Sequence, residues 1–95
     1  MSKKEAYIEK LEAQLREWSA RIDELSTRAD KAKADVKLEY ERQVGELRAK
    51  QETVRNRLQE LKASSEEAWE GLKGGLEKAW DEMKKAVSGA LDKFK

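Results

Sequence analysis

The chain has 95 residues, with no Cys, His or Pro, and 21 basic residues against 20 acidic ones. That length allows one small domain or one extended rod, and the even charge balance argues against nucleic acid as a principal partner. Charged residues make up 43% and aromatics 6%, the profile of long helices and coiled coils.

The longest apolar run, Ala6 to Ile8, is three residues, which excludes a membrane-crossing helix. No signal-peptide core follows the opening Met1-Ser2-Lys3-Lys4. The default expectation is a cytoplasmic chain, with export lacking a cleaved signal left open. Absence of Cys removes disulfide staples and says nothing of redox compartment. Large apolar residues are thinly spread and small chains bury little surface, so a compact core is not expected.

A helical period begins almost at once. Ile8, Leu11, Leu15, Trp18, Ile22, Leu25, Ala29, Ala32 and Val36 recur at spacings of three and four, the mark of a coiled-coil seam. Glu12–Arg16, Glu17–Arg21 and Glu24–Arg28 place each acid four residues before its base, the favourable order on a helix. After Val36 comes Tyr40, four on rather than three, and the seam resumes with Val44, Leu47, Gln51, Val54, Leu58 and Leu61. The extra spacing reads as a stutter, which unwinds a supercoil locally without breaking the helix. One long helix over about 3–62 is therefore expected, with residues 1–63 as a heptad unit. Ala29, Ala32 and Gln51 weaken the seam midway, which suggests close helix approach or tolerance of sliding.

Ser64 with Glu67 three residues later fits a capping box ahead of an apolar-periodic run. It is the preferred helix boundary, opening a second unit over 64–95. Gly71, Gly74 and Gly75 are the rival break, each costing about 1 kcal/mol against Ala in a helix. A hinge is the first expectation for them. Thr27 with Asp30 is a weaker boundary.

From position 68 the period changes to eleven. Ala68, Ala79 and Ala90 align, as do Trp69, Trp80 and Leu91; Leu72, Met83 and Phe94; Lys73, Lys84 and Lys95; and Leu76 with Val87. Eleven residues make three helical turns, so each unit presents the same face. The stripe of Trp69, Leu72, Leu76, Trp80, Met83, Val87, Leu91 and Phe94 covers an arc of about 140°. That is wider than a two-helix seam and suits a bundle of three or more helices or a membrane surface. Core packing accounts for Trp18, and helix packing or a lipid interface for Trp69 and Trp80. Lys73, Lys84 and Lys95 edge the arc, as a solvated flank or as contacts to anionic headgroups.

No metal, nucleophile or phosphate-loop constellation can be assembled from these residues. No cofactor, small-molecule substrate or enzymatic activity is expected. The repeat over 68–95 resembles the eleven-residue amphipathic repeats of exchangeable apolipoproteins and lipid-droplet coat proteins, which implies lipid binding. The whole chain resembles small, charged bacterial coiled-coil proteins of unassigned function. Late-embryogenesis-type stress proteins use eleven-residue repeats too, though generally without the large apolar stripe present here.

The expected fold is all-α: long amphipathic helices, as a hairpin or an extended rod assembling into a coiled coil or bundle. The leading expectation for function is self-association and scaffolding as a homo-oligomer. The second is a peripheral protein on an anionic membrane surface, and the third is stress protection by a hydrophilic chain.

Overall fold

The computed structural model describes residues 2–94, and the fold is all-α. Helix α1 runs Lys3–Lys31, α2 Ala34–Ala63 and α3 Trp69–Lys93. They form an up-down-up three-helix bundle measuring 51 × 21 × 19 Å.

Local chemistry sets most of the boundaries. The Ser2 hydroxyl accepts from the Glu5 N–H at 3.1 Å and caps the start of α1. Helix α2 ends at Ser64, whose hydroxyl donates back to the Leu61 carbonyl. Ser65, one position after the expected cap, opens the turn into α3: its Oγ and its carbonyl both accept from the Ala68 N–H, each at 3.1 Å. The boundary expected near Ser64 is thus real, but Ser64 closes α2, Ser65 opens a turn, and α3 itself begins at Trp69.

The expected single helix over 3–62 is divided. Helix α1 stops at Lys31, and Ala32 and Lys33 form a two-residue turn into α2. The heptad unit assigned to 1–63 is therefore two antiparallel helices. Folding back buries the α1 seam on α2 within one chain, a gain that a lone straight helix cannot make.

The core is continuous, contrary to the expectation that none would form. Ile22, Leu25, Leu47, Val54, Leu61, Leu76 and Met83 are its most fully buried side chains. Each helix contributes one stripe, and three stripes meeting on one axis bury what a two-helix seam would leave wet.

Candidate functional site

With no cleft dominating the surface, the candidate site is the seam where the three helices meet. The seam residues Ile8, Leu11, Leu15, Trp18, Ile22 and Leu25 of α1 are buried, as are Leu47, Val54, Leu58 and Leu61 of α2. Trp69, Leu76, Trp80, Met83, Val87 and Phe94 of the α3 stripe are buried against them. Tyr40 and Leu91 are only partly buried but pack on the same cluster.

An aromatic ladder joins α1 to α3. Tyr7 faces Trp69 with ring centroids 5.8 Å apart, and Trp18 faces Trp80 at 4.8 Å. Both steps are eleven residues long, so the α3 repeat finds a matching spacing on α1. The Trp80 indole N–H donates to Gln14 Oε1 at 2.6 Å, which satisfies its one polar atom. Tyr40 stacks on Phe94 at 3.9 Å and ties the start of α2 to the end of α3.

Gln51, the polar residue in the seam, is buried and donates from Nε2 to Ser19 Oγ at 2.6 Å. Arg55 reaches the same hydroxyl at 3.4 Å. A buried amide that is satisfied in only one alignment fixes helix register, as polar seam residues do in coiled coils.

Three sequence-assigned seam or stripe positions lie outside the core: Ala32, in the turn, Val36 and Leu72. Val36 is 42% exposed and Leu72 is 40% exposed. Val36 sits just past the turn, before the inward face of α2 is established at Tyr40 and Val44. Leu72 follows from the repeat itself. On a helix of 3.6 residues per turn, each eleven-residue step advances the face by about 20°. The column Leu72–Met83–Phe94 therefore rotates inward along α3, while Trp69–Trp80–Leu91 rotates outward.

Gly71, Gly74 and Gly75 lie within an unbroken α3, so the hinge expected there is absent. A Cβ built on any of them, or on Gly89, meets nothing within 4 Å. They occupy the outer face, where packing inside decides the helix. Lys73 sits over the Tyr7 and Trp69 rings, 5.0 and 5.7 Å from their centroids, and pairs with Glu77 at 3.9 Å. Along α3 the ion pairs run at spacings of four, Lys73–Glu77 and Lys85–Asp81. Lys84 is exposed, and Lys95 lies outside the described residues.

Polar links between helices lie at the rim. Arg48 pairs with Asp23 at 3.2 Å and Lys62 with Glu12 at 3.2 Å; Glu12 therefore turns to α2 rather than to Arg16. Glu17–Arg21 and Glu24–Arg28 form at 3.8 and 3.3 Å. The Lys93 ammonium bonds Glu39, and with Arg42 it holds that carboxyl below the usual carboxylate range. Burial, with Glu77 close by, pushes the Tyr7 phenol up to about 12.

Among the described residues no helix is long and apolar enough to cross a membrane. A family model described as "TMP repeat" matches residues 69–79 and 80–90, two consecutive eleven-residue units that begin at Trp69 and Trp80. No curated protein and no solved structure matches the chain.

Proposed function

We propose that the protein is a non-enzymatic association module whose helix seams bind copies of itself and so build a scaffold. The observation that carries this reading is the Gln51–Ser19 pair inside an otherwise apolar seam. Core-filling alone would favour Leu or Val at position 51; a satisfied amide there adds choice of partner and register, which a protein needs when helices must recognise helices. The ion pairs Asp23–Arg48 and Glu12–Lys62 at the rim add charge complementarity between the same two faces. The test is energy transfer between two differently labelled preparations mixed at micromolar concentration. Transfer that grows with concentration supports self-association, and its absence after prolonged mixing removes it.

A second reading is carried by α3. Its four outward glycines weaken the helix by about 1 kcal/mol each without any packing in return. That makes α3 costly to hold as a helix, and α3 is the element this reading releases from the bundle. Once released, Trp69, Trp80 and the flanking lysines would meet an anionic lipid surface. Unchanged tryptophan emission and helicity on adding anionic vesicles would end this reading.

A further inference from the structure

The turn between α1 and α2 carries no signal that obliges the chain to turn. Neither Ala32 nor Lys33 is Gly or Pro, and no described residue has a positive φ. Ala32 has φ −77° and ψ 155°, and Lys33 has φ −68° and ψ 154°. Both φ values are already close to those of a helix; only the two ψ angles differ. Two rotations therefore convert the turn into continuous helix.

The closed turn also leaves local interactions unmade. The Ala32 N–H donates to the Ala29 carbonyl and the Val36 and Lys37 N–H groups to the Lys33 carbonyl; the remaining end groups of α1 and α2 lack the bonds a continuous helix would give them, and Lys33 caps α2 with no side-chain bond. Val36 is 42% exposed and Leu38 73% exposed just beyond the turn. In a straight helix the line Ile22, Leu25, Ala29, Ala32, Val36 runs on unbroken at spacings of three and four.

We propose that two copies of the chain exchange their α1 helices. The Ala32–Lys33 turn straightens, α1 and α2 fuse into one helix, and each α1 docks in the groove between α2 and α3 of the other copy. This rests on the self-association reading and names its mode. The contacts that α1 makes with α2 and α3 re-form between copies: Trp18 against Trp80, Ser19 on Gln51, Asp23 with Arg48; those between α2 and α3 stay within each chain. Two things are gained. The hinge backbone completes its helical hydrogen bonds, and Val36 comes onto the shared seam near the two-fold axis. The fused helix over 3–63 spans about 90 Å at 1.5 Å per residue, against 51 Å for the closed bundle, so the product is a rod. Exchange of an identical element in this way is a low-cost route to a dimer.

Lys33→Pro separates the two states. Its φ suits proline, the extended Ala32 before it suits a pre-proline residue, and the Lys33 N–H donates to nothing among the described residues. The closed bundle accepts the substitution, whereas the fused helix would carry a proline in its interior. Ala34→Pro, at the first position of α2, discriminates in the same way and guards against a folding defect peculiar to one variant. Wild-type and variant chains are concentrated, annealed below the melting temperature, and followed by light scattering and small-angle X-ray scattering. The expected result is a wild-type dimer with a radius of gyration well above the closed chain's 15.4 Å. Proline variants of unchanged helicity dimerise more weakly by at least about 100-fold. Folded proline variants that dimerise like the wild type overturn helix exchange and leave self-association standing. A wild type that stays monomeric throughout overturns both.

Discussion

The Trp80 indole stacks at a 39° tilt on Trp18, with ring centroids 4.8 Å apart, and joins the parallel helices α1 and α3 at mid-length. Tyr7 on Trp69 is the other aromatic rung between these two helices. Trp80→Ala lowers stability by about 3–5 kcal/mol, the cost of a large cavity at a buried aromatic. Trp80→Phe costs less, because it keeps an aromatic face and loses chiefly the bond to Gln14. Urea unfolding followed by circular dichroism measures both.

Removing the Ser19 hydroxyl strands the Gln51 amide inside the seam. Ser19→Ala is expected to cost about 1–3 kcal/mol, the penalty of a buried polar group left without its partner. Adding Gln51→Leu to Ser19→Ala recovers part of that loss while removing the register pin. A double-mutant cycle from denaturant unfolding gives the coupling.

The outer glycines of α3 offer gains rather than losses. A Cβ at Gly74 or Gly75 meets open space, and both residues lie within helix. Gly74→Ala and Gly75→Ala each raise stability by about 0.5–1 kcal/mol. Thermal melts of the two single variants check the sign.

Those glycines also mark where sequence and fold part company. Read locally, Gly71, Gly74 and Gly75 weaken the helix and invite a bend. In the bundle, Leu76 and Trp80 are buried one turn on, and tertiary packing outweighs the local cost. The eleven-residue stripe was legible as a face, because periodicity reports direction. It could not tell that Leu72 would fall outside the core, which depends on how the repeat rotates against its neighbours. The turn at Ala32–Lys33 was the least legible feature. The seam runs through it without Gly or Pro, and the chain folds back because two stripes gain more together than either does alone. The break after α2 was legible at Ser64, from a serine pair placed just before an apolar-periodic run, but the turn that Ser65 opens delays α3 to Trp69.

Ionisation of Tyr7 opposes folding. Its phenol is pushed from 10.0 up to about 12 by burial and by Glu77. A folded value above the unfolded one means the folded chain holds its proton longer. Stability from this group is complete below pH 10 and falls as pH rises from about 10 to about 12. Phenolate absorbance titration of the native protein shows one tyrosine ionising late, and Tyr7→Phe removes that step. At the acid end the lowered Glu39 carboxyl acts in the opposite direction. Its bond to Lys93 is present above the ordinary carboxylate value and is lost as pH falls through the lowered one.

Mass by light scattering, from micromolar to millimolar chain concentration and without lipid, tests the central claim most directly. Helix seams that join copies predict a mass rising from one chain to two, with helicity unchanged. A single-chain mass at every concentration, on a fully folded protein, would contradict it.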